Sequence, residues 1–501
     1  MPKMQRKSLK LRMLDERIRR RSDPAPRFDL FASMFENRLS ELGWKECTTC
    51  PRKFPDLKLV SGKCEFCSNA RGRVIFTIEN DMDPGMVPPV LQNLLNLTII
   101  EEILIARVHP VISLYKIRGN QTAYSGNVIN FRQDITHLFS SLPPSPSDIN
   151  AVVLACRTTP HGLLEFKVRS NIVRNALRWL KENHRYYHDI VIDEDILSQL
   201  PTDGDYASLL PSLDEDDIDT ETDTVNESFF PNISQLDQET VINDRLKSIE
   251  WPQTGTAPLD EFRTEGYIVQ AFPTLFPYGK ADLNYPRLHK VSFNEYFKFL
   301  FQYKDQRFAK HKRFRFFAMN SMMRWTALNV GNIYIKNLAN STSLDVIMHQ
   351  IESNPALANS IMYYGASLRG TRSYWKQRCC KLLDMVDQIG TPSVFFTLSA
   401  ADYHWPHLFK LITPGIDPLT LSDQQRMQIM HENPLLTAWF FKTRVNIFMK
   451  EFVDKFFKCK DAWMRYELQW RGSPHIHGLL WLEDIRKNKS KPRMDTSRHN
   501  K

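Results

Sequence analysis

The stretch Tyr466-Glu467-Leu468-Gln469-Trp470-Arg471-Gly472-Ser473-Pro474-His475-Ile476-His477-Gly478-Leu479-Leu480-Trp481-Leu482 decides how the C-terminal part of this chain folds. Two short apolar-polar runs flank Arg471-Gly472-Ser473, the signature of a β-hairpin. Side chains alternate along an extended chain, so His475 and His477 share one face and Ile476 takes the other. With Arg471 to Ser473 as the loop, pairing sets Gln469 opposite His475 and Glu467 opposite His477. Two imidazoles and a carboxylate then converge on a patch that suits a divalent cation while leaving coordination positions open. The alternative is two histidines merely solvated on a sheet face, the commoner fate of an isolated His-x-His.

A second stretch lies upstream: Phe395-Phe396-Thr397-Leu398-Ser399-Ala400-Ala401-Asp402-Tyr403-His404-Trp405-Pro406. Together the two blocks resemble, in content and order, the first Rep motif and the histidine-hydrophobic-histidine (HUH) motif of the Rep-like nuclease in Helitron rolling-circle transposases. That resemblance implies an antiparallel sheet packed with helices, and Mg²⁺ or Mn²⁺ held by His475 and His477. Glu467 is the hairpin-geometry candidate for third ligand. In that family the metal polarises a phosphate of single-stranded DNA and a tyrosine attacks it, leaving a 5′-phosphotyrosyl bond and a free 3′-hydroxyl. Asp402 and His404, after the first motif, are candidates for contact with metal or DNA.

The chain also departs from the family pattern. The paired nucleophilic tyrosines belong downstream of the histidines, yet no tyrosine follows Tyr466, and the sequence ends 24 residues past His477. No G-x-x-x-x-G-K-[ST] loop for a helicase ATPase is present. The expectation is an N-terminal piece of a Helitron-like transposase, lacking its catalytic tyrosine, whose partners are single-stranded DNA and the tyrosine and helicase part of the same element. The reading of a different class is a non-catalytic DNA- or protein-binding remnant.

At 501 residues, with 42% apolar and 25% charged content, the chain is long enough for two or three domains with real cores. No run approaches the roughly 20 apolar residues that span a bilayer, and Met1 to Ser22 has no apolar stretch of a secretory signal. The net charge of +9 permits a polyanionic partner. The basic N-terminus, ending in Arg19-Arg20-Arg21, reads either as a solvated arm or as a nuclear import or phosphate-touching segment, and a nuclear location is expected.

Cys47-x-x-Cys50 and Cys64-x-x-Cys67, thirteen residues apart, are spaced to place four thiolates around one zinc ion. Such a closed site is structural and implies no catalysis. Between Val74 and Leu200 the pattern is mixed α/β. Thr98 is placed as an N-cap before Glu101-Glu102, Ile172 to Glu182 reads as a helix, and Val111 to Tyr115 and Ala151 to Leu154 read as strands. The blocks around Leu97 to Ile135 and Arg169 to Ile190 resemble a domain of unknown function found ahead of Helitron-like Rep regions. Tyr186-Tyr187 lies there, with packing at a helix end as its expected role.

Asp203 to Glu227 holds ten acidic residues and no Lys or Arg, the composition of a solvated linker. Beyond it, Phe293, Tyr296, Phe297, Leu300 and Phe301 follow helical spacing. Arg307 to Phe317 then interleaves cations (Arg307, Lys310, Lys312, Arg313, Arg315) with aromatic rings, a mixture that holds single-stranded nucleic acid. The same spacing equally describes an amphipathic helix with its rings in a core. A helix from Lys376 to Ile389 and a Phe-rich helix from Leu435 to Phe457 complete the pattern.

The expected organisation is α+β: a basic arm (1–36), a small four-cysteine zinc ribbon (37–72), a mixed α/β domain (73–201) and an acidic linker (202–249). A Helitron-like N-terminal region (250–390), an incomplete HUH-type antiparallel sheet packed with helices (391–485) and a basic tail (486–501) follow.

Overall fold

A computed structural model describes residues 25–69, 74–88, 97–109, 114–117, 121–124, 140–144, 153–154, 167–206, 212–213, 262–338, 366, 371–468 and 473–483. The basic start of the arm, nearly all of the acidic linker and the basic tail lie outside these residues. Among the described residues no helix is long and apolar enough to cross a membrane.

Three apolar cores organise the chain. Helix α1 (Ala25–Ser40) runs across the expected end of the basic arm at residue 36. After it come the two cysteine knuckles, with the short antiparallel strands β1 (Leu59–Val60) and β2 (Lys63–Cys64) between them. Ser61 and Gly62 close that hairpin with positive φ (51° and 77°), the pair of left-handed residues that a type I′ turn requires.

One core surrounds α2 (Ile99–Ile105) and α3 (Ser170–Asn183). Thr98 caps α2 as expected, with Thr98 Oγ1 accepting from the Glu101 N–H at 3.2 Å and Glu101 Oε2 from the Thr98 N–H at 3.0 Å. That carboxylate is buried and also pairs with Arg169 at 2.6 Å. Tyr187 is fully buried here and donates to the Ile105 carbonyl, a packing role. Of the two strands expected in this region, the described parts are Leu114–Ile117 and Val153–Leu154.

A second core is built on α4 (Phe293–Phe301) and the start of α5 (Lys312–Leu338), where Tyr296, Phe297, Leu300, Phe314 and Phe317 interlock. Its boundary with the cysteine knuckles does not exist as a linker. Cys47, Cys50 and Cys64 are members of this same core, with Phe76, Phe299 and Tyr303. Backbone bonds tie the knuckle to the α4 exit: Lys53 N–H to the Gln302 carbonyl at 2.8 Å and Lys304 N–H to the Pro51 carbonyl at 2.9 Å.

The third core lies under a three-stranded antiparallel sheet. Helix α6 (Arg372–Ile389) is capped by the Thr371 side chain and stopped by Gly390 at φ 87°. Strand β3 (Val394–Ser399) follows, then α7 (Pro406–Ile412), α8 (Asp423–Glu432) and α9 (Pro434–Phe448). A wide π-turn at Met449–Val453 carries α9 on to Phe457, where Lys458 reverses the chain in a left-handed conformation. Strands β4 (Cys459–Leu468) and β5 (Pro474–Leu482) complete the sheet, in the order β3-β5-β4. One sheet face, with Phe396, Leu398, Met464, Tyr466, Ile476 and Leu480, packs on α7 and α9. Helix α1 joins this core, with Phe35 against Phe448 and Phe31 against Phe456. So does the knuckle, through Phe54 against Trp439.

Candidate functional site

The open face of the sheet collects the residues of the wrong parity for the core. Because β5 is central, His475 and His477 have neighbours on both sides: Ser399 and Thr397 on β3, Glu467 and Arg465 on β4. This register corrects the expected one. Glu467 lies opposite His475, not His477, and Leu468 pairs Pro474, so five residues separate the strands where three were expected. A slip of two residues preserves side-chain parity, so Glu467 still reaches the histidine face.

There Glu467 Oε1 and His477 Nε2 lie 2.6 Å apart, and the ligand atoms of Glu467, His475 and His477 all fall within 4.8 Å of one another. Adjacent ligands on an octahedral ion lie about 3 Å apart, given metal–oxygen distances near 2 Å. The geometry and the nitrogen–oxygen donor set therefore fit one divalent cation. Ser399 Oγ is hydrogen-bonded to His475 Nδ1 at 2.9 Å, a partner of the kind that orients a ligating imidazole. His475 is buried, and burial, then the nearby His477, hold its pKa below the usual imidazole value. Phe395, exposed on the same face, stacks on His477 with ring centroids 5.9 Å apart. Arg465 approaches Glu467 at 3.8 Å and stands 4.5 Å from the Trp375 ring centroid of α6. Tyr466, between Arg465 and Glu467, points to the core and meets Phe441 edge-on.

The second group comprises Cys47, Cys50, Cys64 and Cys67, again with ligand atoms within 4.8 Å of one another. Cys50 Sγ and Cys64 Sγ are 3.7 Å apart, and the Cys64 N–H points at Cys47 Sγ at 3.2 Å. Hydrogen bonds from Cys50 and Cys67 hold the Cys64 thiol far below its usual range and push Cys50 the other way. Four soft donors closing on one point fit a structural zinc with no position left for substrate. Arg52, buried beside them, lies over the Phe66 ring at 4.1 Å and the Phe76 ring at 4.6 Å.

The remaining expected contacts divide. Arg307 is buried and bound to Asp305 at 2.7 Å and to the Gly85 carbonyl at 2.8 Å. Arg313 is buried beside Glu102, 3.7 Å away. Both are corrections to the expected DNA-facing stripe: the intervening rings are core, and these two cations turn inward to compensate carboxylates. Arg315 is half-buried, with one nitrogen donating to the Ala309 carbonyl, while Lys310 and Lys312 are exposed. Asp402 is also corrected. It is buried in the one-turn helix Asp402–His404 under α8, where its charge acts on His431, and this takes it off any DNA-contacting surface. His404 on the same turn is exposed. Ser399 was missed as a site residue. Its parity with the histidines follows only from the β3–β5 pairing, and nothing local in the sequence reports that pairing.

Residues 296–480 match a family described as the Helitron helicase-like domain at the N-terminus. Residues 71–198 match a domain of unknown function, DUF6570. No curated protein and no solved structure matches the chain. The first match takes in the upstream stretch and both histidines, and supports a Helitron-like, transposon-related protein.

Proposed function

We propose that this Helitron-like protein binds single-stranded DNA at a divalent-cation site made by Glu467, His475 and His477, the remnant or working part of a nicking-and-joining centre. The observation that carries this reading is the convergence of those three ligands on the open sheet face. When bound, Mg²⁺ or Mn²⁺ supplies Lewis-acid polarisation of a phosphate. The chain's own residues provide the setting. Ser399 Oγ, accepting a hydrogen bond from the His475 Nδ1–H, fixes that ring, Glu467 and His477 would ligate side by side, and exposed Phe395 offers a base a stacking surface. Zinc at the four cysteines is structural, and the proposed location is the nucleus.

Covalent joining needs a hydroxyl in line with the phosphate. Tyr466 is on the core side of the sheet, and Tyr403 is packed in the third core, so neither is offered as the nucleophile. The reading therefore predicts Mn²⁺-dependent, salt-sensitive binding of single-stranded oligonucleotides without a covalent adduct. Electron paramagnetic resonance of Mn²⁺ and denaturing gels after incubation with oligonucleotide test both halves. Mn²⁺ binding that survives His477→Ala removes the proposed site. An adduct that survives denaturation and vanishes in His475→Ala reveals a nucleophile in this chain. Oligonucleotide binding indifferent to Mn²⁺ favours a non-catalytic binding protein.

A further inference from the structure

A cleft of about 430 Å³ opens where β3 ends, walled by Phe31 and Phe35 of α1, by Trp405, and by Phe441, Phe448 and Phe452 of α9 and its π-turn. The space falls in the range of small-ligand sites. Its rings are ordered: Trp405 lies nearly parallel to Phe441, and Phe448 to Phe452, at interplanar angles of 11° and 23°. The wide turn at Met449–Val453 places Phe452 in the wall, a kind of helix irregularity frequent at functional sites.

One cation stands among these rings. The Arg444 guanidinium is 4.9 Å from the Phe35 ring centroid and 5.4 Å from that of Trp405. It makes no ion pair among the described residues. The nearby carboxylate, Glu36, is instead 3.8 Å from His407. Arg444 is half-buried and Glu36 acts on it only from beyond ion-pair distance, so its guanidinium keeps donors for an entering anion. A ligand that answers both features has a flat aromatic body and a phosphate, which is the chemistry of a nucleotide. At the end of β3 the cleft also reaches a residue beside the metal site. Ser399 lines it, and its hydroxyl is the partner of His475 Nδ1.

We propose that this cleft receives one nucleotide of the single strand whose neighbouring phosphate lies at His475 and His477, with the base among the rings and a phosphate on Arg444. The inference rests on the single-strand reading above and deepens it to a subsite with a named cation.

The test uses the full chain with Mn²⁺ and single-stranded oligonucleotides carrying 2-aminopurine at successive positions. One position is expected to change fluorescence on binding, and an abasic residue there is expected to weaken binding roughly tenfold. Arg444→Gln is expected to weaken binding roughly tenfold and to abolish the sensitivity to the abasic residue, whereas Arg444→Lys retains most of the affinity. The 2-aminopurine response of the wild-type chain needs no variant, so a misfolded Arg444→Gln leaves the question decidable. If the strand binds but no position responds and Arg444→Gln binds equally well, the subsite is wrong and the metal-centred reading stands. If Mn²⁺ binds but no oligonucleotide does, the single-strand reading itself fails, and the subsite with it. If free deoxyadenosine monophosphate binds as tightly as the strand, the cleft is a mononucleotide site and the proposal is overturned.

Discussion

The Phe396 ring lies against Gly478, in the space a Cβ there would occupy. The two residues are register partners across β3 and β5, and the ring covers the glycine on the core face. Gly478→Ala therefore forces the aromatic ring or the strand to move. Overpacking of this kind costs about 1–3 kcal/mol, so thermal unfolding of the variant should begin at lower temperature. The pair Gly478→Ala with Phe396→Leu should regain part of the loss. An unshifted single variant would show that the ring is not fixed there.

Purified protein should carry about one zinc per chain, by the four-thiolate rule. An independent ribbon would leave the rest of the chain intact when emptied. Here Cys47, Cys50 and Cys64 belong to the α4–α5 core, and Phe54 and Leu57 of the same loop belong to the sheet's core. Cys64→Ser should therefore increase amide exchange in both α4 and α9. Elemental analysis and hydrogen exchange read the two effects, and protection unchanged in α9 would separate the knuckle from the sheet.

Ser399→Ala removes the hydroxyl that orients His475 without touching a metal ligand. Loss of such a partner typically weakens metal binding 10–100-fold. His477→Ala should abolish binding altogether. Titration calorimetry with Mn²⁺ distinguishes them, and equal affinity in wild type and Ser399→Ala would deny the serine its role.

Burial holds His109 down to about 4 and His184 down to about 3, from an ordinary value of 6.5. Both are neutral in the folded protein and charge only on unfolding. Stability is thus complete above pH 6.5 and is lost as pH falls toward 4 and 3, each histidine approaching about 1.4 kcal/mol per pH unit. Asp282 acts in the opposite sense. Burial raises it to about 6 from 3.8, so below pH 6 the folded state takes up a proton the unfolded state lacks. Urea unfolding should show a loss beginning below pH 6.5, and Asp282→Asn should steepen it below pH 6. A flat profile from pH 7 to 5 would contradict the burial of the histidines.

The exposed and buried cations of the 307–315 stretch should separate by assay. Lys310→Gln with Lys312→Gln should leave stability within about 0.5 kcal/mol and, if DNA lies there, reduce the salt dependence of binding. Arg313→Gln removes a buried guanidinium facing Glu102, which keeps its contact with His311 at 2.7 Å, and should destabilise by about 1–3 kcal/mol. Equal stability of the two variants would contradict the inward placement of Arg313.

Much of the fold was legible because it is local. The Thr98–Glu101 capping box, the α4 face from Phe293 to Phe301, and the stop of α6 at Gly390 are each written within a few residues. The shared face of Glu467, His475 and His477 was legible by parity alone, which is why a wrong loop length still put Glu467 beside His477. What was not legible depends on partners far along the chain. Arg313 turns inward because Glu102 awaits it, and Asp402 is covered by α8. The packing of the cysteine loop was likewise hidden, because Arg52 pairs with Tyr303 and Phe54 meets Trp439 from distant parts of the chain.

The central place of β5 has a kinetic consequence. Both of its edges are hydrogen-bonded to neighbours, so the histidine strand cannot fray by itself and opens only with β3 or β4. Its amides should be among the slowest in the molecule to exchange. An ion bound as proposed at His475 and His477 would meet ligands already in place and would leave through the open face without local unfolding. A chelator should therefore strip that site at a rate set by ligand exchange and nearly independent of mild denaturant.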